Sequence, residues 1–334
     1  MAHLATYTRD DINALTRVRS GETKLGEKIE TITQEELSST PAKFILLGIC
    51  EDIGVRANLG IGGTQTAWKA ALASILNVQY TGKIPSQQIA VLGALEFREE
   101  LVRADRLEPS VENDLAALRV LVSEIDSVVT DTLKTIFAAG KVPVVVGGGH
   151  NNSYPIIKAF SEAYDLPVNT INLDAHADFR AREGRHSGNG FSYAFHNGFL
   201  RKYSVIGLHE NYNSQSMIKE MAAYPDRISY CFFEDLLKED TSYDKAFAEA
   251  LNFTNGLSGL EIDLDCIAGV LSSAFTPSGF SATQIRELIY QTKPYKMQYL
   301  HITEGTTKLA DGRQDDSTGK LISYLVMDFI KAQS

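Results

Sequence analysis

The stretch "NLDAHADFR" (172–180) places Asp174, His176 and Asp178 at alternate positions directly after the apolar run "PVNTINL". Side chains alternate faces along extended backbone, so these three point one way if the strand conformation continues past Leu173. The alternative is a set of loop polars, with Asp174 or Asp178 capping the next helix. A second apolar run, "LSGLEIDLDC" (257–266), repeats the pattern with Asp263 and Asp265, and "KVPVVVGGGH" (141–150) ends in His150. Same-facing carboxylates at a buried strand end are costly unless a cation or partner neutralises them. Six such side chains from three strand ends therefore point to metal binding.

The donor types narrow the metal. Four carboxylates and two imidazoles, with no thiolate among them, favour Mn²⁺, with Fe²⁺, Co²⁺ or Ni²⁺ as alternatives. Six ligands exceed the need of one ion, which suggests two ions about 3.5–4 Å apart sharing carboxylates. Such a pair lowers the pKa of a bound water, so the chemistry expected is hydrolysis. The glycine runs 147–149 and 60–63 lack the spacing and the lysine of a phosphate loop; the first reads as backbone that must approach the site closely, the second as a substrate lid or, alternatively, a turn-rich loop beside the site.

These residues need a scaffold that gathers strand ends. Seven runs, "KFILLGICED", "QIAVLGALEF", "KVPVVVGGGH", "VNTINLDAHAD", "KYSVIGLHEN", "LSGLEIDLDC" and "MQYLHITEG", each pass from apolar residues into glycine or polar ones. Helix-like segments lie between them, including 110–141 with an apolar stripe of Leu115, Leu118, Leu121, Ile125, Val128, Leu133 and Ile136, and 153–166. The alternation predicts an α/β fold with a mostly parallel sheet covered on both faces, whose ligands collect at the carboxyl ends of the strands. Residues 1–40 read as an N-terminal lead-in and 41–334 as a single α/β domain.

Composition agrees with that reading. The chain has 334 residues, 44% hydrophobic and 22% charged, enough for a large core. A net charge of −10 argues against a nucleic-acid partner. Cys50, Cys231 and Cys266 stand far apart without CxxC spacing and suit a reducing compartment. No apolar stretch reaches 18 residues, and the N-terminus is too charged for a secretory signal, so a cytoplasmic protein with no membrane partner is expected.

"GGGH" (147–150), "DAHADFR" (174–180), "SGN" (187–189), "DLD" (263–265) and "ITEG" (302–305) occur in the order and approximate spacing of the ureohydrolase superfamily, which includes arginase, agmatinase and formimidoylglutamase. The resemblance runs from about residue 44 to the end. It implies an arginase-like three-layer α/β sandwich around a roughly eight-stranded sheet, two Mn²⁺ per chain and a homo-oligomer acting on a small-molecule substrate. It also implies one ion on His150, Asp174, Asp178 and Asp263, and the other on Asp174, His176, Asp263 and Asp265. Asp178 would move the proton of a metal-bridging hydroxide, and Glu304 would pair with a cationic amidine or guanidine.

The branch resembled most is formimidoylglutamase, which hydrolyses N-formimino-L-glutamate to L-glutamate and formamide. "EDIGVRANLGIGG" (51–63), "GGGH", Arg180 and "IDLDCIAG" (262–269) carry that likeness. "SGN" is instead the arginase form of a loop that grips an α-carboxylate, through Ser187 and Asn189, and Asn151 stands where formimidoylglutamases tend to carry Glu. The shuttle histidine of arginases is replaced by Phe191, with His186 as a candidate substitute against the favoured alternative of a surface-loop histidine with no role. Arg180 is the side chain expected to bind a second carboxylate, against the alternative of a surface pair with Glu183. An arginase or other guanidino hydrolase is the competing function. A zinc deacylase, which would leave His150 and the Asp263–Asp265 pair unexplained, and a family member without activity stand behind it.

Overall fold

The apolar runs become strands because each buries both faces, and a parallel strand covered on both sides requires continuous hydrophobic sequence. A computed structural model describes residues 3–334. Its ten strands are β1 (Leu4–Thr6), β2 (Glu30–Thr31), β3 (Phe44–Cys50), β4 (Ile89–Glu96), β5 (Val142–Val146), β6 (Val168–Leu173), β7 (Leu200–Leu208), β8 (Ile228–Phe232), β9 (Ser258–Asp263) and β10 (Met297–Thr303). Eight of them form a wholly parallel run in the order β4-β3-β5-β10-β9-β6-β7-β8. The expected eight-stranded sheet is this run. β1 adds to β4 antiparallel, with Ala5 opposite Ala94, and β2 pairs parallel with β4 near its start.

Each face of the sheet carries its own core. Phe44, Leu46, Val144, Val146, Leu260 and Ile262 pack with the helices Ala67–Leu76, Ala282–Gln291 and Thr318–Gln333. Ile45, Leu47, Ile49 and Val145 pack on the other side with Glu112–Ala138 and Ser153–Tyr164. Sheet and helices thus form the three layers of the expected α/β sandwich. Residues ahead of β3 join the first core, where Ile12, Leu25 and Ile29 are fully buried.

β8, "ISYCF", is a strand that the hydrophobic pattern does not predict. It sits at the sheet edge with four of its five residues only half-buried, so it lacks the continuous apolar run of the central strands. No helix among the described residues is long and apolar enough to cross a membrane.

Candidate metal centre

β5, β10, β9 and β6 are neighbours in the middle of the sheet, and all run the same way. Their carboxyl ends therefore deliver His150, Glu304, Asp263 with Asp265, and the 174–178 turn to one place. Gly147 and Gly148 take positive φ (98° and 74°) in the turn from β5 to His150. A Cβ on Gly148 would come within 2.4 Å of Asn152 Nδ2, so both conformation and space call for glycine.

The 174–178 segment converges by a different device from the one its alternation predicts. β6 stops at Leu173, and the chain turns with Asp178 at φ 45° rather than continuing extended. Asp174 Oδ1 accepts the His176 N–H at 2.7 Å, while the Ala177 N–H donates to Asn213 Oδ1 at 2.9 Å. Tyr203 Oη donates to the Ala177 carbonyl at 2.8 Å. Asp263 makes the same local turn, its Oδ1 accepting the Asp265 N–H at 2.9 Å.

The result is two abutting clusters. His150 Nδ1 lies 2.8 Å from Asp178 Oδ2 and 3.1 Å from both Asp174 Oδ2 and Asp263 Oδ2. His176 Nδ1 lies 3.0 Å from Asp265 Oδ2 and 3.7 Å from Asp174 Oδ1. Among the described residues one ligand-competent group is His150, Asp174, Asp178 and Asp263, a second is Asp174, His176 and Asp265, and a third, behind the first, is His150, Glu261 and His301; Asp174 belongs to the first two, whereas Asp263, expected to bridge, falls only in the first. Phe191 is buried and meets the His150 ring edge-on at 5.0 Å.

Electrostatics show what the cluster suits. Burial and the charge of Asp174 push Asp178 up to about 6, and burial with Asp265 and Asp174 raises Asp263 well above the carboxylate range. Burial works against the charged forms of Asp174 and His150, yet their mutual contacts prevail, holding Asp174 at about 2 and raising His150. His176 is also raised, because Asp265 and Asp174 outweigh burial. Among the described residues neither ring nitrogen of His150 nor Asp265 Oδ1 has a hydrogen bond of good geometry. Converging carboxylates that repel one another, with orphaned donor atoms between them, fit divalent cations.

A cavity of about 430 Å³ opens onto this centre, reaching His176, Asp178, Asp263, Asp265 and Glu304. The carboxylate of Glu304 is pushed up to about 8 by burial and by Asp265 and Asp178, although it accepts the His150 N–H. Arg180 and Ser187 stand on the cavity wall. Arg180 is half exposed, donating to Asn58 Oδ1 at 2.9 Å and to Glu183 Oε1 at 3.3 Å. Asn189 is fully buried and does not line the cavity: its amide is engaged by Arg185, by the His186 N–H and by the Ala181 and Gly184 carbonyls. His186 is also buried, and its Nδ1 accepts the Gly188 N–H. Burial and the neighbouring arginines hold its pKa down to about 3.

Asn58, Asn213 and Tyr212 are site residues that spacing alone does not reveal. Asn58 links Arg180 to Ser187, donating to Ser187 Oγ at 3.3 Å. Asn213 also donates to the Ala175 and His209 carbonyls, tethering the ligand turn. Tyr212 stacks on His176 at 5.4 Å. The "GVRANLG" segment carried a weak signal, since its glycines mark a turn near the site.

The architecture and this centre define an α/β sandwich with a candidate divalent-cation cluster at the carboxyl edge of its central sheet. The arginase family model matches residues 42–330, and the chain belongs to the arginase family. It is 28% identical over 173 residues to mitochondrial arginase 1 of rice (Oryza sativa subsp. indica), a match covering 49% of this chain and 48% of that protein. The chain thus spans about half the length of the first curated relatives it matches. To a formimidoylglutamase of Staphylococcus aureus it is 27% identical over 312 residues, covering 90% of each. Trypanosoma cruzi formiminoglutamase with Mn²⁺ shares the fold, with a TM-score of 0.71 at 17% identity over 93% of this chain and 98% of that one.

Proposed function

We propose that the protein is a binuclear metal-dependent hydrolase of linear amidines that converts N-formimino-L-glutamate and water to L-glutamate and formamide. The observation that carries this reading is the position of Glu304 on the wall of the cavity that also reaches candidate ligands of both clusters. A cationic amidine paired with that carboxylate has its carbon over the metal centre. His150, Asp174, Asp178 and Asp263 would hold one Mn²⁺, and Asp174, His176, Asp263 and Asp265 the other. When bound, such a pair supplies a water acidic enough to attack near neutral pH.

The remaining work falls to side chains of this chain. Glu304 pairs with the amidinium and draws the substrate carbon over the site. Asp178, also on the cavity wall, takes a proton from the attacking water and returns it to the leaving nitrogen. Ser187 and Arg180 offer hydrogen bonds to the substrate carboxylates. Collapse of the adduct breaks the bond to the substrate nitrogen, leaving glutamate with its free amine and releasing formamide.

Release of urea from arginine is the competing reading, supported by the likeness to plant arginases. Both products are measured in one experiment: protein loaded with Mn²⁺ is given N-formimino-L-glutamate or arginine, and formamide and urea are quantified. Formamide from the first substrate with no urea from the second is expected. Urea from arginine with no formamide overturns the substrate assignment, and neither product overturns the hydrolase reading.

A further inference from the structure

Beneath the candidate ligands lies a buried pair that the proposed reaction does not use. Glu261 on β9 and His301 on β10 are partners in the sheet register, and both are wholly inaccessible. His301 Nδ1 lies 2.6 Å from Glu261 Oε2, and the same oxygen stands 3.5 Å from His150 Nε2. Glu261 precedes Asp263 by two residues on one strand, so the carboxylate behind His150 and one in front of it share a sheet face.

Stability does not account for this pair. A buried carboxylate and imidazole are costly to desolvate, and well-packed apolar residues in place of such a pair are often neutral or stabilising. Geometry offers a better reason. The Nδ1 of His150 faces Asp174, Asp178 and Asp263 within 3.1 Å, so a cation held by those groups meets His150 through Nδ1. The ring must then carry its proton on Nε2, which faces Glu261 Oε2 at 3.5 Å, in reach of that carboxylate though not hydrogen-bonded to it with good geometry. A ligating histidine whose second nitrogen donates to a carboxylate is fixed in tautomer and ring orientation and made a stronger donor to the metal.

We propose that Glu261, anchored by His301, is the positioning residue that orients His150 toward the cation it shares with Asp174, Asp178 and Asp263. This rests on the metal centre described above. It concerns binding of the ion on the His150 side and leaves the His176 side untouched.

The test uses full-length protein stripped of metal and titrated calorimetrically with Mn²⁺, with the melting temperature of the metal-free form as a control. The wild type is compared with Glu261→Gln and with the double variant Glu261→Leu, His301→Leu. In the double variant the His150-side ion should bind about 10- to 100-fold more weakly. The other ion should keep its affinity, and the metal-free melting temperature should not fall. Glu261→Gln, which retains an acceptor for Nε2, should lie between the two. Two ions at wild-type affinity in either variant overturn the proposal alone. A third ion, bound by the wild type and lost in Glu261→Gln, also overturns it, because the three buried side chains would then be ligands. A wild type that takes up no ion overturns the metal centre and this role with it.

Discussion

The backbone N–H of His150 donates to Glu304 Oε1 at 2.8 Å, joining the chain beyond β5 to the chain beyond β10 behind the cavity wall that Glu304 lines. Glu304 holds a positive φ of 61°, a conformation a non-glycine residue keeps only when its surroundings determine it. The His150 N–H therefore aims one carboxylate oxygen and leaves the other for a cation. Glu304→Gln retains an acceptor for that N–H and removes the charge the carboxylate would carry once a cationic substrate is paired with it. Loss of one partner of a desolvated charge pair costs about 2–5 kcal/mol, so kcat/KM should fall roughly 30- to 4,000-fold with metal content unchanged. Steady-state kinetics with elemental analysis checks both halves, and an unaltered kcat/KM removes Glu304 from substrate binding.

Asp174 is the ligand-competent residue common to both clusters. Asp174→Asn should cost at least one of two Mn²⁺ and nearly all activity. Elemental analysis of dialysed protein reads the stoichiometry directly, and a fully active wild type holding one ion or none contradicts the binuclear centre.

Metal uptake should depend on pH in a definite direction. In the metal-free cluster, burial lowers the His150 and His176 pKa values, but hydrogen bonds and charges from the surrounding aspartates reverse this and raise both. Protons must leave these rings before a cation enters, so binding releases protons and apparent affinity rises with pH. Mn²⁺ titrations at pH 6 and pH 8.5 should show tighter binding at the higher value. Equal affinities would mean the imidazoles are not ligands.

The central strands were legible because β5, β6, β9 and β10 are buried on both faces and must be apolar throughout. Convergence of their polar ends then follows from parallel direction and adjacency, although adjacency itself is absent from any one segment. Other features left no local trace. β8 is half-buried at an edge, and β1 and β2 contribute only three and two residues. The turn that gathers Asp174 and Asp178 depends on Tyr203 and Asn213, far along the chain, so strand alternation suggested the right face for the wrong reason. Asn58 and Asn213 act through hydrogen bonds to distant partners, which a spacing pattern cannot express. Asn189 illustrates the converse: a motif can mark a loop whose amide holds the loop's shape and does not face the cavity.

Asp52 gives the fold a pH dependence separate from the metal centre. Burial and the adjacent Glu51 raise its carboxyl to about 6 despite Arg56, whereas the unfolded chain has the ordinary value near 3.8. The folded state therefore holds this proton more tightly. The stabilisation from this group is full below about pH 4 and is lost as pH rises to about 6. About two pKa units correspond to about 3 kcal/mol. Asp52→Asn removes the titration, so relative to wild type it should gain about that amount between pH 4 and pH 7.5. Urea denaturation of both metal-free proteins at the two pH values measures the difference, and a constant gap between them contradicts the assignment.

Arg180 carries the proposed choice of substrate. Formiminoglutamate and arginine both present a cation to Glu304 and an α-carboxylate to the Ser187 loop, but only the former adds a second carboxylate. Arg180 is the cation on the cavity wall, and its contacts to Asn58 and Glu183 use two of five N–H donors. Its pair with Glu183 is half exposed and so holds the guanidinium only weakly. A substrate carboxylate binding with two parallel hydrogen bonds can displace that pairing. A charged hydrogen bond contributes about 1.5–3 kcal/mol, so Arg180→Ala should raise KM for formiminoglutamate roughly 10- to 150-fold. The contact is made alike in ground and transition states, so kcat should change little, and metal content not at all. Arg180→Lys should recover only part of the loss, because an ammonium cannot match the planar fork. A KM unchanged in Arg180→Ala would return this arginine to its surface pair with Glu183 and require another donor for the second carboxylate.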